Sequence, residues 1–276
     1  MGYKPVLFSD CDFSASFPEF NWKVSISIDK FNFADTTPFK VFWGVEPAEI
    51  CPNTESMIKK HWEFYDLILT WNHTLLSECG HTKMFPCSAV WNHFPDTSQK
   101  QFQVSYLTSN KTDCAGHRYR QRIFDLLPPQ VGAMRVTKHR SPPAILDKSS
   151  MFLPFQFSII MENCRRNGYF TEKILDCMAS KTIPIYWGCP TIGDFFNMDG
   201  IIPFSCYNNE AENPLERGDD LKSILERLTP DYYAAHAAVI EENYHKAMFY
   251  RNPLERVTKA IQEALEIDPR FVFGER

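Results

Sequence analysis

The stretch FSIIMENCRRNGYFTEKILDCMASKTIPIYWG, residues 157–188, decides the fold. An apolar run ends at Met161, a polar turn follows, and Thr171 then stands where a helix N-cap is expected. A second apolar run ends at Trp187. Near-continuous apolar strands joined by a helix are typical of a parallel sheet with both faces covered. We therefore predict strands over 156–161 and 182–187 and a helix over 171–179.

Apolar runs and helix-like stretches alternate through the rest of the chain in the same way. This alternation favours an α/β protein. Further strands are predicted over 5–9, 24–28, 40–44, 66–71 and 102–108. Further helices are predicted over 54–62, 72–79 and 116–127.

Two α/β halves are expected, because 276 residues are enough for two domains. The polar segment NHFPDTSQK, residues 92–100, is typical of a linker. We therefore place the first domain at residues 1–100 and the second at residues 101–276. The second is expected to end in helices, since apolar residues recur there with the spacing of one helical face. They are Leu221, Ile224, Leu225 and Leu228, and then Leu254, Val257, Ile261 and Leu265.

The composition is that of an ordinary globular protein, with 44% hydrophobic and 23% charged residues. The net charge of −5 argues against a nucleic-acid partner, because binding phosphates along a strand usually needs a basic face. The N-terminus lacks the apolar core of a signal peptide, and no run reaches the roughly 18 apolar residues of a membrane span. The nine cysteines include no tandem CxxC and are expected to be reduced. These features predict a soluble cytoplasmic protein, with peripheral membrane association left open.

The polar turn within 157–188 lies where open α/β sheets bind their ligands, beyond the carboxyl ends of the strands. The helix that follows starts with free N–H groups and a partial positive charge, which suits a phosphate. Lys173 in its first turn adds a full positive charge. The spacing alone therefore predicts an anion-binding helix start. For single residues a structural role stays open, such as a solvated Lys173 or a Tyr169 that belongs to the core.

Three strings in this stretch, MEN (161–163), YFTEK (169–173) and TIPIYWG (182–188), resemble the donor-binding signature of glycosyltransferase family 10. This family comprises the α-1,3/1,4-fucosyltransferases, and the strings are most similar to those of its soluble bacterial members. Met161 and Phe170 depart from the pattern, since the family usually has Phe at the first position and Val or Ile at the second.

The resemblance implies a GT-B-like α/β fold, with two Rossmann-like domains and a C-terminal helical tail. It also implies that Asn163, Tyr169, Glu172 and Lys173 contact a nucleotide-sugar donor. Lys173 would face the diphosphate, and Glu172 would bond the sugar or the ribose. The donor implied by the family is GDP-fucose, and no further cofactor is expected.

A second segment, SNKTDCAGHRYRQRIFDLL (109–127), resembles the family's upstream donor segment and aligns its donor arginine with Arg120. The planar, permanently charged guanidinium of an arginine suits a diphosphate. Arg118 and Arg122 stand close by and remain alternatives. An exposed basic helix face is the structural alternative for all three.

A third string, VFWGVEPAE (41–49), is similar to the family strand that carries the catalytic base. The resemblance assigns this role to Glu46, and Glu49 is the fallback. From the residues alone, Glu46 follows a predicted strand, at a position where a carboxylate could reach a substrate hydroxyl. A solvent-exposed loop residue is the alternative.

No metal site is expected. The sequence Asp10-Cys11-Asp12 mimics the DxD metal motif of other glycosyltransferases, but the resemblance places it in the acceptor half. A second candidate group, formed by Cys79, His81, Cys87 and His93, fits no common zinc spacing.

The sequence therefore predicts an inverting, metal-independent hexosyltransferase of glycan biosynthesis, which moves fucose from GDP-fucose to a hydroxyl of an acceptor glycan. Two alternatives stay open. One is a related transferase with another nucleotide sugar or with a non-glycan acceptor, such as a lipid-linked sugar or a modified DNA base. The other is a non-catalytic nucleotide-sugar-binding module.

Overall fold

The computed structural model describes residues 13–17, 22–86, 88–91, 100–136, 148–205 and 221–267. These residues belong to two compact units. The first comprises Met1–Ser88 and Asn252–Arg276, and the second comprises Ala89–Arg251. The predicted strand 5–9 and residues 92–99 of the predicted linker lie outside the described residues.

Strands and helices are mixed through the first part of the described chain, and from residue 221 onward its elements are helices. The strands are β1 (Phe13–Phe17), β2 (Trp22–Ile28), β3 (Phe39–Gly44), β4 (Leu67–Thr70), β5 (Thr82–Met84), β6 (Gln101–Ser109), β7 (Gly132–Val136), β8 (Phe155–Met161), β9 (Ile183–Trp187) and β10 (Ile202–Pro203). The helices are α1 (Thr54–His61), α2 (His73–Glu78), α3 (Ala115–Leu126), α4 (Glu172–Ala179), α5 (Leu221–Arg227), α6 (Pro230–Ala235), α7 (Ala237–Met248) and α8 (Pro253–Ile267).

The first unit is built on a five-stranded sheet in the order β1-β2-β3-β4-β5. Among the described strands of this sheet, only β1 runs antiparallel to its neighbour, so the carboxyl ends of β2, β3 and β4 meet at one edge. Alternate side chains of the strands point to opposite faces. One face packs against α8, and the other packs against α1 and α2.

The second unit is built on a fully parallel five-stranded sheet in the order β10-β9-β8-β6-β7. β8 follows β7 along the chain but lies on the other side of β6, so the direction of winding reverses between β6 and β8. Open α/β sheets bind ligands outside the carboxyl ends of the strands at such a reversal. This topology points to the carboxyl ends of β6 and β8 as the place to look for a site.

Helices cover both faces of the second sheet. Along β8, Phe157 and Ile159 join α3 and α5 in one apolar cluster, whereas Ile160 joins α4 and α7 in the other. Burying a large aliphatic side chain of this kind stabilises a fold by roughly 1.5–3 kcal/mol. The continuous apolar run in the sequence follows directly from this double coverage.

The predicted α/β class is confirmed, and the chain contains two α/β units, as a GT-B-like fold requires. The predicted elements recur within one or two residues where they are described; the strand predicted over 156–161 is β8, and the helix predicted over 171–179 is α4. The short edge strands β1, β5, β7 and β10 were not predicted. Among the described residues, no helix is long and apolar enough to span a membrane.

The division into units differs from the predicted boundary near residue 100 and from the predicted placement of the C-terminal helices. The helix α8 belongs to the first unit, because Val257, Ile261 and Leu265 are buried against the first sheet. The helical spacing of these residues was visible in the sequence, but spacing does not reveal which sheet a helix covers.

Lys100 ties three elements of the second unit together. Its ammonium donates to the carbonyl oxygens of Phe152, Leu153 and Phe155 at 2.9–3.0 Å and to the hydroxyl of Thr182 at 2.8 Å. The loop before β8 is thereby joined to the starts of β6 and β9. One partly buried cation here satisfies acceptors that would otherwise lose their water contacts.

We expect Lys100→Met to lower the free energy of unfolding by about 3 kcal/mol, because four acceptors lose a charged donor. Chemical denaturation monitored by circular dichroism measures this change. Lys222→Met, on an exposed position of α5, is the matched control and should leave the transition almost unchanged. Equal midpoints for the two variants would contradict the role of Lys100.

Candidate active site

The site is organised by Glu162, the first residue after β8. Its side chain is fully buried. One carboxylate oxygen accepts the backbone N–H of Thr171 at 2.9 Å, and the other accepts the Thr171 hydroxyl at 2.6 Å. Lys173 lies 3.5 Å from the same carboxylate. Glu162 therefore fixes both the N-cap residue of α4 and the cation in its first turn.

Gly188 is required for this arrangement. A Cβ at position 188 would come within 2.6 Å of the Glu162 side chain and within 2.3 Å of the Tyr186 hydroxyl. The end of β9 can approach the carboxylate so closely only because no side chain intervenes. The Gly that ends the string TIPIYWG thus has a packing reason.

Two lysines and three acidic side chains lie around the start of α4. Lys173 contacts Glu162 and Glu172, at 3.5 and 3.6 Å. Lys148 contacts Glu172 at 3.4 Å and the fully buried Asp176 at 3.5 Å. Burial alone would raise the pKa of Glu172, but the cations of Lys173 and Lys148 lower it to about 2. Glu172 is therefore a carboxylate at neutral pH, with its charge balanced by both lysines.

Arg120 lies in the middle of α3 and is 6% exposed. Its Nη1 is 3.5 Å from the carbonyl oxygen of Met161, at the end of β8, and its Nε is buried without a hydrogen-bond partner. The helix is held at this depth by the Tyr106 hydroxyl, which donates to the Arg120 carbonyl at 2.9 Å. A buried guanidinium with so little compensation is costly unless an anion joins it.

Asn163 connects α3 with the turn after β8. A Cβ on Gly116, in the first turn of α3, would lie only 2.0 Å from the Asn163 carbonyl oxygen, so that position has room for glycine alone. The Asn163 side-chain amide donates to the buried Tyr169 hydroxyl at 3.4 Å. Its Oδ1 is buried and has no partner.

His117, also in the first turn of α3, was not singled out from the sequence. It is 3% exposed, and its Nδ1 lies 3.6 Å from a carboxylate oxygen of Asp113, which is too long for a hydrogen bond. Burial, together with the positive charges of Arg120, Lys111 and Lys173, lowers the pKa of His117 to about 4. The imidazole is therefore neutral at physiological pH.

The structure thus brings the five predicted donor residues to the carboxyl edge of the second sheet, where the winding reverses. Arg120 is on α3, Asn163 and Tyr169 are in the turn after β8, and Glu172 and Lys173 open α4. Their roles toward a donor stay predictions. The edge offers buried donors, a lysine and a helix start, which can together hold a multiply charged anion.

The predicted base, Glu46, lies in the first unit, two residues after β3. Its backbone N–H donates to Asp29 Oδ2 at 3.0 Å, and the N–H of Val45 donates to Asp29 Oδ1 at 2.8 Å. Asp29 follows β2, so both acidic residues stand at the carboxyl edge of the first sheet. The catalytic role of Glu46 stays a prediction.

Asp29 has an unusual environment for a carboxyl group. It adopts the left-handed backbone conformation, with φ at 52°. Burial raises its pKa to about 7, against the opposite effect of the two backbone N–H groups, and the charge of Glu46 adds to the rise. This group therefore changes its charge near neutral pH, directly beside the predicted base.

The two metal candidates from the sequence gain no support from the described residues. Asp10, Cys11, Asp12, Cys87 and His93 lie outside them. Of the remaining members, His81 points Nδ1 at the Tyr65 carbonyl oxygen at 2.9 Å. Within the described part of the chain, no group of three or more His, Cys, Asp or Glu side chains could hold a metal ion.

Four residues of the two edges were missed in the sequence: Asp29, His117, Lys148 and Glu162. Asp29 was detectable, because it follows the predicted strand 24–28 and therefore stands beside Glu46 in a parallel sheet. Glu162 belongs to the string MEN, but its complete burial was not apparent. Lys148 comes from a polar region far from α4 in sequence, and no pattern connects the two.

Two proteins are similar in sequence to part of this chain. The α-(1,3)-fucosyltransferase FucT of Helicobacter pylori is 35% identical over 136 residues, which are 49% of this chain and 28% of that protein. A putative fucosyltransferase of Acanthamoeba polyphaga mimivirus is 31% identical over 91 residues, which are 30% of this chain and 15% of that protein. The chain thus spans less than a third of the length of the relatives it matches. No family model matches it.

Solved structures of an α1,3-fucosyltransferase are also similar, at a lower level. The alignment with one of them covers 87% of this chain and 81% of the other chain, with 15% identity and a TM-score of 0.44. The alignment with a structure of an α1,3-fucosyltransferase with GDP-fucose has 16% identity, the same coverage and a TM-score of 0.46. Over 49% of its length, this chain is therefore similar in sequence to the α-(1,3)-fucosyltransferase FucT of Helicobacter pylori.

Proposed function

We propose that this protein transfers fucose from GDP-fucose to a hydroxyl group of an acceptor glycan. The second unit would bind the donor, and the first unit would supply the catalytic base and the acceptor side. The observation that most strongly supports this function is the burial of Arg120 at the winding reversal of the second sheet, where the charge of its guanidinium is poorly compensated. The homologous fucosyltransferase supports the choice of sugar.

In the proposed reaction, Arg120 and Lys173 hold the diphosphate, assisted by the N-terminus of α4. Glu46 accepts the proton of the acceptor hydroxyl as its oxygen bonds to the anomeric carbon of fucose. The bond between that carbon and the β-phosphate oxygen breaks, and GDP leaves with the electron pair. A single displacement of this kind inverts the anomeric centre and needs no covalent intermediate.

The positive charges would act on the leaving group. Negative charge builds up on the β-phosphate as the bond breaks, and fixed cations in a water-poor site stabilise it strongly. The proposed mechanism therefore uses arginine and lysine for the task that a divalent metal performs in other transferases. This makes independence from metal a testable part of the proposal.

We expect the protein to bind GDP and GDP-fucose in preference to GDP-mannose, UDP and UDP-glucose, and to do so equally well in EDTA. Isothermal titration calorimetry with these five nucleotides measures the preference. Binding restricted to uridine nucleotides would instead favour a related transferase with another donor. Binding that disappears in EDTA would rule out the metal-independent mechanism.

We expect Arg120→Met to weaken GDP binding roughly 100-fold, because the diphosphate loses a buried charged partner. The midpoint of thermal unfolding should not fall, since removing a poorly compensated buried charge does not destabilise a fold. Calorimetry and thermal unfolding give the two values. Arg118→Met, exposed on the same helix, is the matched control and should bind GDP normally. Normal binding by Arg120→Met and weak binding by Arg118→Met would transfer the role to Arg118.

We expect Glu46→Gln to reduce turnover by about 10²–10⁴, the usual contribution of a general base, while the affinity for GDP-fucose stays unchanged. Turnover is measured as release of GDP from GDP-fucose, with a panel of oligosaccharides and with water alone as acceptors. Glu49→Gln, exposed in the same loop, is the control and should remain active. Lost donor affinity in Glu46→Gln would refute its role as a base, and donor binding without any turnover in the wild type would favour a binding module.

A further inference from the structure

His117 stands beside the residues assigned to the diphosphate, but it has no role in the proposed reaction. It is almost completely buried, in the first turn of α3 and one turn before Arg120. Its Nδ1 has no hydrogen-bond partner. A histidine at this depth normally has one, because a buried polar atom without a partner loses the hydrogen bonds that water would give it.

Unsatisfied polar atoms are concentrated around this histidine. The Nε of Arg120 and the Oδ1 of Asn163 are also buried without partners. Gly116 packs directly against the Asn163 backbone, so the three residues belong to one small region between α3 and the turn after β8. Two of these groups can donate to phosphate oxygens, and the third can accept from a hydroxyl or an amine. Such a set matches a nucleoside diphosphate better than it matches a closed core.

The charges that face His117 come from three parts of the second unit. Lys111 and Asp113 lie in the loop before α3, Arg120 lies on α3 itself, and Lys173 lies on α4. Three of the four are cations, and they keep the imidazole neutral in the ligand-free protein together with its burial. A diphosphate bound by Arg120 and Lys173 would bring two negative charges and cancel this repulsion.

Building on the proposed donor site, we propose that His117 is a further phosphate-contacting residue and that it takes up one proton when the diphosphate of the donor binds. The proton comes from solvent, and no covalent bond changes. The neutral histidine avoids a second buried cation beside Arg120 in the empty site. The charged histidine then adds a donor and a positive charge once the anion is present.

The direction of the pH effect follows from the two states. Free His117 is protonated only below about pH 4, whereas in the complex its pKa rises toward the ordinary histidine value. Between these values the complex holds one more proton than the free protein, so binding tightens as the pH falls. A bound-state pKa of about 6.5 corresponds to binding roughly tenfold tighter at pH 5.5 than at pH 8.

Calorimetric titration of the whole chain with GDP-fucose at pH 5.5 and pH 8 tests this proposal. The diphosphate of GDP-fucose is esterified at both ends and does not titrate in this range, so the probe adds no proton of its own. At pH 5.5, buffers with different enthalpies of ionisation give the number of protons taken up, which should approach one. At pH 8 this number should be near zero.

His117→Gln keeps a hydrogen-bond donor but cannot become charged. We expect it to bind GDP-fucose almost as tightly as the wild type at pH 8, to lose the roughly tenfold gain at pH 5.5, and to take up no proton. His245→Gln, exposed on α7 of the same unit, is the control and should keep the pH dependence. Circular dichroism confirms that each variant is folded.

A wild-type affinity that does not depend on pH, without proton uptake, overturns the proposal and leaves the donor assignment intact. So does an unchanged pH dependence in His117→Gln. If GDP-fucose fails to bind but UDP-glucose binds, the donor assignment is wrong, and the same titrations with UDP-glucose decide the role of His117. If neither nucleotide sugar binds at either pH, both proposals fall.

Discussion

The site of the second unit depends on the two hydrogen bonds between the Glu162 carboxylate and Thr171. A fully buried carboxylate is costly unless hydrogen bonds and an opposite charge compensate it. The N–H and hydroxyl of Thr171 provide the bonds, and Lys173 provides the charge. Because all these groups lie around the start of α4, a single buried charge determines where the helix begins and where its lysine lies.

The two sides of this edge are electrostatically unlike. Around α4, the carboxylates of Glu162, Glu172 and Asp176 share Lys148 and Lys173, so the positive charge is already balanced. Around α3, Arg120 is buried with only a distant backbone carbonyl as a partner among the contacts described. The first side therefore offers a diphosphate a lysine whose charge is already shared with carboxylates. The second is arranged to receive an anion, and the attraction for a diphosphate is concentrated there.

The sequence was sufficient for the central strands β6, β8 and β9 of the second unit and for the helices α3 and α4, because both faces of the sheet are covered. Continuous apolar strands, a good N-cap at Thr171 and the helix after it are local signals, and local signals survive folding. Of the edge strands, β5 and β10 were missed because they have too few residues for a periodic pattern. The position of α8 was missed for another reason: its apolar stripe fits either sheet, and only tertiary packing selects the first.

In the candidate site, too, local patterns were detectable from the sequence and long-range contacts were not. One short segment contains Asn163, Tyr169, Glu172 and Lys173, so a single motif could identify all four. Lys148 reaches Glu172 from a distant part of the chain, and His117 becomes notable only through its burial. Burial and long-range pairing depend on the assembled fold, and a motif written along the chain contains neither.

The first unit adds a constraint that concerns the proposed base. Asp29 accepts the two N–H groups that form the turn of Glu46, and these bonds favour its ionised form, whereas burial favours the neutral one. An ionised Asp29 holds the turn more firmly but sets a negative charge beside Glu46. The charge of Glu46 acts on Asp29 in turn and adds to the rise of the Asp29 pKa. The carboxyl group that holds the backbone of Glu46 in place therefore changes its own charge near neutral pH, so the turn that carries the proposed base is held by bonds whose strength depends on pH.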